Sequence, residues 1–409
     1  MMSLDRTLSA HVQTASTLFP VLLVIGARQV GKTTLLQALS EAGRQYVTLD
    51  DPLALSLARE EPGLFLQRFT PPVLIDEIQY APGLLPYIKM AADREQRPGL
   101  FWLTGSQPFH LMQGVSESLA GRVAVVRLMG LSHRETLGKG NEPIPPFLPT
   151  TAVLEARQAS GTPLDVQELY ALIWRGSFPA IVANPQMDRE LFYGSYLQTY
   201  LQRDVRDLAR VGDEMAFLRF LRTTAARTGQ LLNMAELARD VDVAPNTAKL
   251  WLSILETSGL VYLLQPWHSH LTKRLVKTPK LYFLDTGLAA YLTQWTSPQT
   301  LEAGAMSGAI FETWVIIELL KSYWHQGRLA PFYYFRNKDQ REIDVLIESD
   351  GKLYPVECKK SAAPSREALQ GMSALGKMEI DVGPGAVICM ASQLLPLRGT
   401  VMAVPVGIL

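Results

Sequence analysis

Short apolar runs alternate with amphipathic stretches through about the first 130 residues. Residues 21–25 (VLLVI), 73–75 (VLI) and 100–103 (LFWL) are apolar at every position and are flanked by Pro, Gly, Asp or Thr. A run without polar alternation suits a strand buried on both faces, as in a parallel sheet covered by helices. Between these runs, 32–42 and 84–94 carry apolar residues at helical spacing. The rhythm predicts a βαβ-type α/β unit.

The rhythm breaks at 142–149 (EPIPPFLP), which reads as a linker or surface loop. From about 163 to 227 the pattern is mostly helical. Residues 230–285 read as a small helical unit followed by two strands, at 260–265 and 280–284. The remainder returns to mixed α/β, with strands expected at 333–336, 343–348 and 353–357. No repeat of solenoid period is present.

Composition bounds the picture. At 409 residues the chain is too long for one ordinary domain. With 47% hydrophobic and 19% charged residues it has material for folded cores. Lys plus Arg equals Asp plus Glu at 39 each, which excludes a polybasic protein but not a local basic face. The two cysteines, Cys358 and Cys389, form no C-x-x-C pair, so a disulfide scaffold and a zinc ribbon are not expected. The first 20 residues lack a signal-peptide core, and no stretch reaches the roughly 20 apolar residues of a membrane span. A cytoplasmic protein without membrane partners is expected.

The strand at 21–25 runs into Gly26-Ala27-Arg28-Gln29-Val30-Gly31-Lys32-Thr33, followed by Thr34 and a helix. This is G-x-x-x-x-G-K-[ST] in the strand-loop-helix context it requires. Glycines let backbone N–H groups wrap phosphates, and the helix N-terminus adds positive potential. Lys32 is suited to the β- and γ-phosphates and Thr33 to Mg²⁺, so ATP and Mg²⁺ are the expected cofactors. The strand at 73–75 ends in Asp76 and Glu77. Asp76 is expected to hold Mg²⁺ through water, and Glu77 to orient the attacking water. Ser106, at the end of the next apolar strand, is a candidate γ-phosphate sensor; an ordinary polar strand end reads the same way.

These segments, 26–34, 74–79 (LIDEIQ) and 104–106 (TGS), are followed by 118–122 (SLAGR), 176–179 (GSFP), 196–204 (YLQTYLQRD) and 282–288 (YFLDTGL). In this order they resemble the bacterial and archaeal AAA-type ATP-binding proteins that carry a C-terminal domain of unknown function, DUF4143. The resemblance spans nearly the whole chain. It implies an ATPase in which Arg122 serves as an arginine finger on a neighbouring subunit, which needs a homo-oligomer such as a hexameric ring. A structural salt bridge is the alternative role for Arg122. The chain departs from the family at 130–135 (GLSHRE), where Pro-Leu-Ser-Phe-x-Glu is usual. This touches the packing of the next segment rather than the nucleotide site.

Asn233 is a helix-capping residue with Glu236 three positions on. After a turn at Asp242, Pro245 opens a second helix whose inner face is expected to hold Leu250, Ile254 and Leu255, with Gly259 ending it. Two helices and two strands read as a winged helix-turn-helix. Between Pro245 and Lys280 lie Lys249, Lys273, Arg274, Lys277 and Lys280 against one acid, Glu256. Asn246, Thr247 and Lys249 would face a DNA groove, with Lys273, Arg274 and Lys277 on the wing. Winged helices also dock proteins, and that alternative stays open.

Near the end, Asp344 sits on one expected strand and Glu357 and Lys359 on the next, with Glu312 on a preceding helix. Alternation puts Glu357 and Lys359 on one face. Three carboxylates and a lysine in this order resemble the PD-(D/E)-x-K nuclease superfamily. There Asp344, Glu357 and Glu312 would hold Mg²⁺ and Lys359 would activate water. The same residues also suit DNA gripping or structural ion pairs.

The expected architecture is α/β and multidomain: a P-loop parallel-sheet ATPase core (1–135), a helical lid or connector (136–228), a winged helix-turn-helix (229–290) and a restriction-endonuclease-like α/β domain (300–409). The expected function is ATP-driven remodelling of, or translocation on, duplex or branched DNA, as in helicase or branch-migration work, with metal-dependent nuclease activity open. The competing function is a nucleotide-switched regulatory ATPase whose winged-helix and nuclease-like units are docking modules.

Overall fold

The computed structural model describes residues 4–106, 115, 117–200, 214–268, 278–365, 369–376 and 380–409. The first sheet comprises β1 (Val21–Ile25), β2 (Gln45–Thr48), β3 (Val73–Asp76), β4 (Phe101–Gly105) and β5 (Val123–Arg127). It is wholly parallel, in the order β2-β3-β4-β1-β5.

Period two sorts the apolar runs between two layers. Leu22, Val24, Leu74 and Trp102 face one core, with Leu8 and Val12 of α1 (Leu8–Leu18) and Leu35 and Leu36 of α2 (Lys32–Leu39). Val21, Leu23, Ile25, Val73, Ile75, Phe101 and Leu103 face the other, with Leu85 and Ile88 of α3 (Leu85–Glu95). Each fully buried Leu, Ile or Val contributes about 1.5–3 kcal/mol of transfer free energy. A charge at Leu23, which is 0% exposed, would therefore break the sheet's seat. The apolar pattern missed β2 because only its Val47 is buried.

A helical stretch follows, with α4 (Val166–Arg175), α5 (Arg189–Tyr200) and α6 (Glu214–Ala225). Asp165 and Glu168 form a reciprocal capping box that starts α4. Next come α7 (Met234–Val241) and α8 (Pro245–Thr257). With them is a three-stranded antiparallel sheet of β6 (Gln230–Leu231), β7 (Val261–Leu264) and β8 (Lys280–Phe283), ordered β6-β8-β7. The Asn233 side chain caps α7 by accepting from the Glu236 N–H at 3.1 Å. The inner face of α8 carries Ala248, Trp251, Leu252, Ile254 and Leu255. Leu250, expected inside, is 48% exposed, because Trp251 takes the inward position one residue on.

After α9 (Thr286–Leu292), the 18-residue helix α10 (Ser307–Trp324) is buried along most of its length. The last sheet is mixed, in the order β13-β14-β12-β11-β10-β9. Its strands are β9 (Phe332–Arg336), β10 (Glu342–Ser349), β11 (Lys352–Lys359), β12 (Gly385–Cys389), β13 (Leu395–Arg398) and β14 (Val401–Pro405). α10 packs against β11 and β8.

The Pro-rich segment is not a free linker. Phe147 is fully buried; its N–H donates to Ser322 Oγ at 3.1 Å and its carbonyl accepts from Tyr323 Oη at 3.0 Å. Proline supplies extended backbone, and α10 supplies the partners that backbone needs. One apolar core runs from Leu8 to Leu409 through all of these units. Both cysteines are buried and free. Among the described residues no helix is long and apolar enough to cross a membrane.

Candidate nucleotide-binding site

The phosphate loop spans the gap between β1 and α2. A Cβ on Gly26 would lie 2.2 Å from the Leu128 carbonyl oxygen, so only glycine fits beside β5. Gly31, at φ +94°, and Gln29, at φ +60°, take left-handed conformations that turn the loop. Val30 points into the core, and Thr34 is exposed on the first turn of α2. The Lys32 ammonium donates to the Gly26 and Ala27 carbonyls at 3.1 and 2.9 Å. Arg28 reaches Tyr80 Oη at 3.4 Å.

β3 lies two strands from β1, with β4 between them, and this brings Asp76 beneath the loop. Thr33 Oγ1 donates to Asp76 Oδ1 at 2.8 Å, Tyr46 Oη donates to Oδ2 at 3.2 Å, and Thr104 Oγ1 also bonds Asp76. Glu77 has φ +58°, which turns its carboxylate toward β4. Its Oε2 accepts from Ser106 Oγ at 3.0 Å and from Gln79, and Gln79 Nε2 donates to Ser106 Oγ at 3.1 Å. The residues picked from three separate strand ends thus form one hydrogen-bonded set. Tyr46 and Gln79 join it without having been singled out. Tyr46 sits on the edge strand that the apolar pattern missed.

Arg6 braces the loop from below. Its guanidinium donates to the Val30 carbonyl at 3.0 Å, the Met129 carbonyl at 2.7 Å and Glu135 Oε1 at 3.2 Å. Glu135 is fully buried, and burial alone would raise its pKa. Arg6, His325 and the Ser132 N–H outweigh that and hold the carboxyl well below the usual range. Despite the family departure at His133, the segment starts with an intact Ser132–Glu135 capping box. The His133 N–H donates to Glu318 at 2.9 Å.

A cavity, open in part to solvent, adjoins the loop. Its walls come from Gly26, Ala27 and Val30, from 127–130 at the end of β5, from Ser177 and Phe178, from Thr257, Gly259 and Leu260, and from Leu284 and Asp285. Two motif segments meet here: Asp285 Oδ2 accepts from Ser177 N and Oγ at 2.7 and 2.8 Å, and Oδ1 accepts from Tyr193 Oη at 2.9 Å. Gly259 ends α8 at φ +72°, and a Cβ there would come within 3.4 Å of the Ala27 nitrogen. The unit of α7 and α8 therefore touches the phosphate loop itself.

Arg122 pairs with Asp93 of α3 in the same chain, Nη2 to Oδ2 at 3.1 Å, on the surface. On the candidate DNA face, Asn246 and Lys249 are exposed near the start of α8 and Thr247 is half-buried. Lys273, Arg274 and Lys277 lie outside the described residues. Lys280, counted with the basic stretch, is 3% exposed and points inward, so it adds nothing to an outer face.

Lys280 instead enters the C-terminal carboxylates. Its Nζ lies 3.1 Å from Glu312 Oε1 and 3.6 Å from Asp344 Oδ1 and pairs with Glu342. Tyr282 Oη donates to Glu312 Oε1 at 2.5 Å, and the Cys358 N–H to Asp344 Oδ2 at 2.8 Å. Lys359 Nζ lies 3.2 Å from Glu357 Oε2 and 3.9 Å from Asp344 Oδ2, so these two do share a face. Burial and the neighbouring Asp344 push the Glu312 carboxyl up to about 7. The metal set expected at Glu312, Asp344 and Glu357 is not formed. Among the described residues no three His, Cys, Asp or Glu groups are arranged to hold an ion. The oxygens are turned onto two ammonium groups, a phenol and a backbone N–H.

Family profiles match an AAA domain at residues 18–137, a domain of unknown function (DUF8612) at 166–299 and the domain of unknown function DUF4143 at 307–409. Uncharacterized proteins of Mycobacterium tuberculosis and Mycobacterium bovis are each 30% identical over 403 residues, covering 98% of this chain and 83% of theirs. A Walker-type ATPase of Pyrococcus abyssi superposes with a TM-score of 0.45 at 17% identity, over 71% of this chain and 96% of that one.

Proposed function

The chain belongs to the family that joins an AAA domain to a C-terminal DUF4143 domain, and on that premise we propose that it binds ATP with Mg²⁺ and hydrolyses it. The observation that carries this reading is the linked set of Thr33, Asp76, Thr104, Glu77, Ser106 and Gln79 under the phosphate loop. A hydroxyl and a carboxylate at 2.8 Å are hard oxygen donors that fit Mg²⁺. Bound there, the ion would neutralise phosphate charge. Lys32 would leave the Gly26 and Ala27 carbonyls for the phosphate oxygens. Glu77, oriented by Ser106 and Gln79, would accept the proton of the attacking water. The nucleobase would occupy the neighbouring cavity, between Leu128, Phe178, Leu260 and Leu284. The test is ATP turnover by the purified chain beside Lys32→Ala and Glu77→Gln. Each variant is expected to lose about 10²–10⁴-fold, with Glu77→Gln still retaining ATP. Normal turnover by Glu77→Gln would remove it as the base.

We further propose that the unit of α7, α8 and β6–β8 is a winged helix that engages duplex or branched DNA, with Asn246, Thr247 and Lys249 at the contact and the wing residues Lys273, Arg274 and Lys277 on the backbone. A homo-oligomer in which Arg122 leaves Asp93 for a neighbour's nucleotide belongs to the same reading. The second reading is a nucleotide-switched regulator with docking modules. The filled carboxylate cluster and the contact of Gly259 with Ala27 favour it. Turnover measured with duplex, forked and four-way-junction DNA separates the two. Stimulation that Lys249→Ala weakens supports the first; indifference to every DNA, without complex formation, leaves the regulator.

A further inference from the structure

We propose that Lys280 is the resident cation of the C-terminal carboxylate cluster, so that this cluster is an ion-paired seam between two units and not a divalent-metal site. Lys280 comes from β8, which belongs to the sheet of the α7–α8 unit. Its partners come from α10 and β10. The side chain is 4% exposed, and its ammonium stands among Glu312, Glu342 and Asp344, between two of the three carboxylates expected to hold a metal. Other donors engage the same carboxylates. Glu312 Oε1 holds the Tyr282 phenol as well, and Asp344 Oδ2 holds the Cys358 N–H. Glu357 is turned onto Lys359.

An ammonium satisfies such oxygens at about 2.8–3.2 Å, whereas Mg²⁺ needs near-octahedral oxygens at about 2.0–2.1 Å and must first displace it. Entry would also leave the Lys280 charge without partners in an apolar wall, a further penalty. The chemical requirement for a nuclease-type centre, open carboxylate oxygens converging on one point, is therefore withheld by a residue outside the C-terminal sheet. The inference goes beyond the ATPase reading and does not depend on it.

The test counts Mn²⁺ bound to the full chain without nucleotide, by calorimetry and by electron paramagnetic resonance. Wild type and Asp344→Asn are expected to bind equal numbers of ions. Lys280→Met is expected to bind one more, which the added Asp344→Asn abolishes, and Lys280→Arg is expected to match wild type. A wild-type ion that disappears in Asp344→Asn or Glu312→Gln overturns the proposal. So does a cooperatively folded Lys280→Met that gains none. If Lys280→Met does not fold, the wild-type comparison with Asp344→Asn and Glu312→Gln decides alone: equal counts support the seam and a lost ion refutes it. Nucleotide-free protein keeps failure here separate from any failure of the ATPase reading.

Discussion

Arg6→Met isolates the brace under the phosphate loop. The substitution keeps an unbranched apolar stem and removes the guanidinium that serves Val30, Met129 and Glu135. Breaking a buried pair by deleting one partner costs about 3–5 kcal/mol, because the other charge stays behind. Glu135 is 0% exposed but keeps the Thr7 and Ser132 N–H groups and His325, which places its share near the lower end. The two carbonyls each lose a donor, at about 1 kcal/mol or more apiece. The sum is roughly 5 kcal/mol.

The cause is testable apart from the size. Arg6→Met/Glu135→Met removes both charges, and replacing a whole buried pair by apolar groups is far milder than breaking it. The double variant should therefore be about 2 kcal/mol more stable than Arg6→Met alone. Guanidinium denaturation followed by circular dichroism reads the stabilities, and fluorescent ADP titration reads the loop. The freed Val30 carbonyl should weaken nucleotide binding about tenfold, or about 1.4 kcal/mol. If the double variant loses the sum of both single losses, the charge-compensation argument is wrong. If Arg6→Met unfolds within about 0.5 kcal/mol of wild type, the brace does not exist.

Glu135 also sets a pH dependence. Its folded pKa lies below its unfolded value of about 4.5, so its stabilisation is complete above that pH and is lost as pH falls through the folded value. Thermal midpoints between pH 3 and 7 should fall more steeply on the acid side for wild type than for Glu135→Gln; parallel curves would contradict this. Ser106→Ala should lower ATP turnover about tenfold with ATP affinity unchanged, since it removes one of the two donors on Glu77 Oε2 without touching the phosphate loop; steady-state kinetics measure it. Gly130→Ala would place a Cβ 2.3 Å from Ser177 Oγ and 2.9 Å from its carbonyl. It should cost about 1–3 kcal/mol in denaturation and weaken nucleotide binding across the cavity wall. On α8, Leu250→Asp should stay within about 0.5 kcal/mol, whereas Trp251→Ala should cost about 3–5 kcal/mol, because only the second empties a core position.

The nucleotide site was largely legible because its chemistry is local. A phosphate loop needs a strand, two glycines, a lysine and a hydroxyl in contiguous order, and unbroken apolar runs announce β1, β3 and β4. Asp76, Glu77 and Ser106 were readable as strand ends. Arg6 was not, since its partners lie 24 to 129 residues away and nothing about an isolated arginine near a chain start marks it. Tyr46 sits on a strand with one buried residue, too little for a period to emerge. The proline run marks 142–149 as lacking helix and strand, as the structure has it. Whether such a segment is exposed depends on a distant surface that offers it partners, here α10. Leu250 shows the same limit at the scale of one turn: two adjacent apolar residues compete for the inner face, and the larger ring wins.

Charge is where linear reading is weakest, because sign is visible and direction is not. Lys280 has the composition of a nucleic-acid contact and the position of a seam. Arg6 with Glu135 is likewise an inward pair, and Lys321, paired with Glu318 on α10, donates to the Leu131 carbonyl at 2.7 Å. Arg157 donates to the Leu409 carbonyl at 2.7 Å. Burial holds that guanidinium down to about 9, yet it stays charged at neutral pH. Each such group ties segments that the chain separates, and each resists separation, since parting it would strand a charge in an apolar wall. The wall between the phosphate loop, Phe178 and Leu260 is different in kind: it is mostly apolar and encloses open volume. Apolar surfaces slide at far lower cost than paired charges part. A nucleotide-driven movement in this chain is therefore expected to open and close across that cavity, shifting α8 against the loop, while the Lys280 seam carries β8 and the C-terminal sheet along as one body. Fluorescent labels at exposed positions on α8 and α3 should change separation between ATP-bound Glu77→Gln and nucleotide-free protein, and labels on α8 and β13 should not. Equal changes in both pairs would place the hinge at the seam instead.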